Sequence, residues 1–259
     1  MAFYLSQLNR KRRTNMKLNC DLGESFGSWN MGLDDDVMPH INMANIACGF
    51  HAGDADVIAK TLKLAKQHKV QIGAHPSYPD LQGFGRRSMN LSEVELTNCL
   101  HYQIAALEGM AKVQGLTLSY VKPHGALYND MMADEQMLQT VINAIANYPS
   151  KLKLMILATK NADKHTKIAK SLGVELILEA FADRQYTDDG HLVSRTLEGS
   201  VHNKTALLEQ VTQLLFDGSV TTRSDKKLTL NAHSLCVHGD NADGIALIKD
   251  IKALCESAD

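Results

Sequence analysis

Short apolar runs alternate along this chain with longer stretches whose apolar positions recur every three to four residues. Side chains two apart share a face of a strand, whereas those three or four apart share a face of a helix, so the two patterns predict different elements. Strands are expected at Lys17–Leu22, Ala44–Gly49, Val70–Ala74, Leu118–Lys122, Leu154–Ala158, Val174–Ala180 and Ser234–Val237. Helices are expected between most of them. Asp54–Lys69 carries Val57, Ile58, Leu62, Leu64 and Ala65 as one stripe. Ser92–Val113 opens on Ser92-x-x-Glu95, the reciprocal pattern that satisfies two orphan amides at a helix start, and Gly115 stops it. Further helices are expected near 134–147, 161–172, 204–216 and 241–256. Residues 181–202 show no period and read as a long functional loop or a small hairpin insertion.

Repeated β-α order implies a parallel sheet with helices packed outside it. Seven such units without a Gly-Pro-rich linker favour a closed or nearly closed α/β barrel, with a doubly wound sheet as the alternative. The single barrel domain is expected over 16–259. Residues 1–15 are expected to be a disordered extension or an upstream start, outside the fold.

Composition narrows the function classes. A chain 44% hydrophobic and 22% charged has material for a sizeable core. A formal charge of −2, with only Lys11-Arg12-Arg13 as a tight basic run, argues against a nucleic-acid or membrane surface. The five cysteines are odd in number, far apart and without a C-x-x-C, so reduced thiols in a cytoplasm fit better than a disulfide framework. No signal-peptide core and no run long enough to span a bilayer occurs.

In α/β barrels the chemistry sits at the C-terminal strand ends. Here those ends are polar: Asn19, Asp21 and Glu24 after the first strand, Asn45 within the second and His51 after it, and His75 after the third. Lys122 and His124 follow the fourth, Glu179, Asp183 and Arg184 the sixth, and His238 and Asp240 the seventh. By alternation Asn19 shares a face with Asp21, and Lys122 with His124. Polar groups aimed into a barrel mouth cost desolvation unless paired or used. Individually, each His has a structural reading as a hydrogen-bonded core residue, Lys122 as a snorkelling side chain, and Asp54 reads best as a helix N-cap. The loop after the third strand ends in Arg86-Arg87, two guanidiniums suited to gripping carboxylate or phosphate, or else a solvated basic turn. Asp21, His51, His75 and His124 also form a candidate metal set, although no local spacing marks one. No P-loop, H-E-x-x-H or G-x-S-x-G occurs.

Several strings in this chain are long enough to carry a resemblance. They are Asn19-Cys-Asp-Leu-Gly-Glu-Ser-Phe-Gly27, Asn45-Ile-Ala-Cys-Gly-Phe-His-Ala-Gly-Asp54, Gly73-Ala-His-Pro-Ser-Tyr-Pro-Asp80, Lys122-Pro-His-Gly-Ala-Leu-Tyr128, Glu179-Ala-Phe-Ala-Asp-Arg184 and Cys236-Val-His-Gly-Asp240. From about Met16 to near the C-terminus the chain resembles the LamB/YcsF family, the A subunits of bacterial ATP-dependent 5-oxoprolinase. That resemblance implies a distorted seven-unit (β/α) barrel, TIM-barrel-like and related to the glycoside hydrolase/deacetylase superfamily. It also implies ATP-driven opening of 5-oxoproline to L-glutamate, ATP as co-substrate with Mg²⁺, and B and C partner subunits. On that reading Asp21 is the first candidate base and His51 or His124 the second. Lys122, Arg86, Arg87 and Arg184 are the phosphate clamps, and Asn19, Glu24, Asn45, His75, Asp183, His238 and Asp240 complete the substrate-binding set. The rival readings are a stand-alone metal-dependent deacetylase or amidohydrolase, and a non-catalytic ligand-binding subunit.

Overall fold

The computed structural model describes residues 16–237 and 246–256. Its principal strands are β1 (Lys17–Leu22), β2 (Met43–Ala47), β3 (Gln71–His75), β4 (Leu118–Val121), β5 (Lys153–Leu157), β6 (Leu176–Phe181) and β9 (Ser234–Cys236). These seven form a closed parallel barrel in the order β1-β2-β3-β4-β5-β6-β9. Each strand expected from the apolar runs is present, with ends shifted by a residue or two. Tertiary contacts divide the chain into two compact units, one of them Asp21–Ile156 with Lys164–Ile177. The other takes in the described residues up to Cys20, Leu157–Asp163 and those from Leu178 onward.

In the Asp21–Ile156 unit, β2 to β5 pair in sequence, each parallel to the next. The helix Ala55–His68 buries Ile58, Leu62 and Ala65, the stripe read from the sequence. Asp54 caps it through Asp56 N and Val57 N, as its N-cap reading required. Glu93–Val113 starts on the full Ser92/Glu95 capping box. The ends of β3 and β4 run on side by side: Lys122 N donates to Ala74 O at 2.8 Å and His124 N to Pro76 O at 2.8 Å. That continuation brings His75 and His124 level with one another.

The short helices Asp34–Val37 and Met38–His40 were not foreseen, nor was a longer one. Gly125–Ala133 begins directly after His124. Gly125 adopts φ +58° and lies so close to the Gly85 carbonyl that a Cβ would collide with it. Ala126 N then donates to Gly85 O at 2.8 Å, tying the helix start to the loop after β3.

Gly73 has a different reason. A side chain there would overlap the ring of Tyr120, which sits with Met43 and Met155 in the buried core. Gly73→Ala is therefore expected to overpack the core by about 1–3 kcal/mol. A urea unfolding series checks this; an unchanged midpoint would show the ring has room to retreat.

In the other unit, β9 pairs with both β1 and β6. The aperiodic 181–202 segment is held by isolated bridges, Arg184 with Val201 and Tyr186 with Leu192, in keeping with the loop reading. A hairpin of β7 (Ser219–Thr221) and β8 (Lys227–Thr229) was not anticipated, because its strands are too short to show alternation. Of the helix expected at 241–256, Ile248–Glu256 is described and residues 241–245 lie outside the described residues. Residues 1–15, His238 and Asp240 also lie outside them.

Candidate active site

The strand ends of the Asp21–Ile156 unit bring Asp21, Glu24, Asn45, His51, His75, Lys122 and His124 together, all buried. At the centre is an ion pair, Lys122 Nζ donating to Asp21 Oδ1 at 2.9 Å. The same oxygen accepts from Asn45 Nδ2 at 2.7 Å. Tyr120, two residues before Lys122 on β4, donates its hydroxyl to Asn45 Oδ1 at 2.6 Å and so fixes the amide. Removing two charges from water costs several kcal/mol per ion, which only close pairing with added hydrogen bonds offsets. Asp21, the first candidate base, thus has Oδ1 engaged by both an ammonium and an amide.

Three imidazoles complete the cluster. His51 and His124 are stacked, with ring centroids 3.7 Å apart and planes within 4°. His75 stands edge-on to both, at 86° to His51 and 88° to His124. One nitrogen of each ring is committed to a neighbour away from the cluster. His75 Nδ1 lies 2.6 Å from the Lys122 carbonyl and His124 Nε2 2.9 Å from the Phe84 carbonyl, so both are N–H donors. His51 Nδ1 lies 3.0 Å from Ser77 Oγ. Ser77 itself donates to the Tyr78 carbonyl at 2.8 Å, so its oxygen accepts from His51.

The opposite nitrogens turn inward. His75 Nε2 is 2.9 Å from His124 Nδ1 and 3.4 Å from Asp21 Oδ2. Glu24 Oε1 lies 3.4 Å from His51 Nε2 and 3.5 Å from His124 Nδ1. His51 Nε2 is buried with no hydrogen-bond partner among the described residues. Burial first, and then the neighbouring His75 and Arg86, hold the His51 pKa well below the ordinary imidazole range, against the pull of Asp21. Burial, then His51 and His75, lower that of His124 likewise. His51 is thus a neutral imidazole whose Nε2 lone pair faces the cluster.

Cys48, at the end of β2, is no nucleophile: burial pushes its thiol up to about 12, so it stays protonated near neutrality.

Among the metal candidates His51, His75 and His124 are gathered, but Asp21 is replaced: it is Glu24 that lies with the three imidazoles, all four ligand atoms within 4.8 Å of one another.

The basic residues divide. Arg86 lies over the Phe84 ring, its guanidinium carbon 5.0 Å from the centroid. Arg87, expected as a second phosphate clamp, instead closes its own loop. Its Nε donates to Asp80 Oδ1 at 2.9 Å and its Nη2 to the same carboxylate, while Gly83 N donates to Asp80 Oδ1 at 3.0 Å. Asp80 is buried and held below the usual carboxylate range, chiefly by Arg87. Asp80→Ala removes the acceptor shared by Gly83 N and the exposed Arg87 guanidinium, and is expected to cost about 1 kcal/mol in a urea melt. It should also slow turnover, because the loop carries the Phe84 carbonyl that orients His124.

Asn19, Asp183 and Arg184 belong to the other unit. Asn19 Nδ2 donates to Ser234 Oγ at 2.8 Å and Glu179 Oε2 at 3.4 Å. Arg184 spends Nη2 on the Val193 carbonyl at 2.5 Å and Nε on that of Ser200 at 3.4 Å, which braces the irregular loop rather than presenting a clamp. Asp183 is fully buried, its carbonyl accepting from His202 N at 2.9 Å.

Tyr120 and Ser77 were missed by the sequence reading. Each lies two residues from a chosen one, Lys122 and His75 respectively, on the same extended run; that spacing was the available signal.

Comparison with known proteins converges on one group. The family model described as LamB/YcsF matches residues 16–259. In Pseudomonas putida, the 5-oxoprolinase A subunit that carries the number 2 is 53% identical over 236 residues, covering 91% of this chain and 92% of its own. The 5-oxoprolinase A subunit of Vibrio campbellii is 51% identical over 246 residues, covering 95% and 96%. The crystal structure of a lactam utilization protein from Thermus thermophilus superposes with a TM-score of 0.84 at 35% identity, covering 94% of this chain and 96% of that one.

Proposed function

The chain belongs to the LamB/YcsF family, and from that premise we propose that it works as the A subunit of an ATP-dependent 5-oxoprolinase, opening 5-oxo-L-proline to L-glutamate with its B and C partners. The observation that carries the reading is the buried cluster in which a Lys122–Asp21 ion pair adjoins a neutral imidazole, His51, with an inward lone pair.

A lactam is a resonance-stabilised amide and a poor electrophile. Phosphoryl transfer from ATP to its carbonyl oxygen turns that oxygen into a leaving group and releases ADP. Water then adds to the carbonyl carbon, the ring C–N bond breaks as the nitrogen takes a proton, and a second water releases phosphate. This chemistry needs a cation where negative charge develops and a base for the water. Lys122 supplies the cation, held in place by Asp21, and Asn45 with Tyr120 hold Asp21. Arg86 is the guanidinium assigned to phosphate, with Mg²⁺ accompanying the ATP. His51 Nε2 is the base, kept neutral by burial and oriented through Nδ1 by Ser77. His124 and His75 form the wall behind it. Among the described residues no helix is long and apolar enough to cross a membrane. With five free cysteines, that supports a cytoplasmic setting.

The test is reconstitution of the purified chain with and without the B and C subunits, following ADP release and glutamate together. ADP and glutamate appearing in step, only with 5-oxoproline and all three subunits present, is expected. Glutamate formed without ATP by this chain alone would replace the reading with that of a stand-alone amidohydrolase.

A further inference from the structure

We propose that Glu24, His75 and His124 hold a divalent metal ion of the zinc class, with His51 facing its open position. Hydrogen-bond bookkeeping leads there. The outer nitrogens of His75 and His124 are donors, because each meets a backbone carbonyl. With those outer positions committed as donors, the inner nitrogens turn on one another only 2.9 Å apart. Glu24 Oε1 adds a third acceptor at 3.5 Å from His124 Nδ1, and His51 Nε2 lies 3.4 Å beyond it. Acceptors crowded in this way repel one another unless positive charge lies between them.

The His75–His124 and Glu24–His124 spacings are close to those around one ion. Ligands about 2.0–2.1 Å from one metal lie roughly 2.9–3.4 Å apart when their bonds subtend right to tetrahedral angles. Both carbonyl contacts also match the outer partners that fix the tautomer and direction of a ligating imidazole. Two imidazoles and one carboxylate favour zinc-like ions over magnesium, which prefers oxygen throughout.

Ring geometry limits the histidines to two, and the 2.9 Å approach of His75 and His124 selects that pair. A ring nitrogen binds a metal in the plane of its ring. His51 and His124 are parallel and 3.7 Å apart, so they do not both aim in-plane at one ion. His75, at 88° to His124, approaches from a different direction. That leaves a two-histidine, one-carboxylate shell with an open position, the arrangement in which zinc polarises a carbonyl or activates water.

The test needs no substrate, so it stands or falls separately from the lactam reading. The full chain is incubated with Zn²⁺, dialysed and assayed for metal by mass spectrometry. About one equivalent is expected in the parent and in His51→Ala, and none in His75→Ala, His124→Ala or Glu24→Gln with native circular dichroism. Where a variant fails to fold, the parent loaded with Co²⁺ gives the answer by proton NMR. Two paramagnetically shifted imidazole N–H signals are expected, from His75 Nδ1 and His124 Nε2. No retained ion, an ion retained by His75→Ala, or three shifted N–H signals would overturn the assignment. In the first case a proton shared between His75 and His124 would satisfy the crowded acceptors instead.

Discussion

Replacing Lys122 by methionine is expected to destabilise the protein by about 3–5 kcal/mol and to abolish 5-oxoproline-dependent turnover. Lys122 is buried, and its ammonium lies 2.9 Å from Asp21 Oδ1. Methionine keeps most of the side-chain volume, so the effect isolates the charge: the buried Asp21 carboxylate loses the ammonium that compensates it. The expected signature is non-additivity. Adding Asp21→Asn to Lys122→Met should recover part of the lost stability, because the double variant no longer buries that carboxylate, while activity stays absent. Urea unfolding of the two single variants and the double variant checks this. Strictly additive losses would show that the two groups are not energetically coupled.

Replacing His51 by glutamine is expected to lower kcat by about 10²–10⁴-fold with a smaller change in KM, the loss that follows removal of a general base. The unfolding free energy should fall far less than in Lys122→Met, since no buried charge is left behind. Glutamine offers an amide for Ser77 Oγ but no basic lone pair at the Nε2 position. Steady-state kinetics of the complete complex with the B and C partners reads the split. A kcat near that of the parent would move the base elsewhere in the cluster.

Strands such as Gln71–His75 and Leu118–Val121 were legible because an apolar run meets a polar residue, His75 or Lys122, at its end. The helix Glu93–Val113 was legible from its capping box and stripe. What stayed hidden depends on which residues face each other across the sheet. Asp21 and Lys122 are 101 positions apart, and no spacing rule says that one neutralises the other. The stacking of His51 on His124 is invisible for the same reason, and with it the division of labour between them. Arg87 and Asp80 share one loop seven residues apart, but that spacing fits a ligand-gripping loop and a solvated basic turn equally and does not itself pair the two. Helix Gly125–Ala133 was masked by Pro123 and Gly125, whose turn character is real but marks the helix start.

The most direct measurement is a crystal structure of the chain with its proposed B and C partners and 5-oxoproline bound. The lactam should lie beside Lys122 and Asp21, with its ring carbonyl carbon reached by a water hydrogen-bonded to His51 Nε2. A lactam seated against the Arg87–Asp80 loop or the Arg184 segment, with His51 and Lys122 untouched, would contradict it.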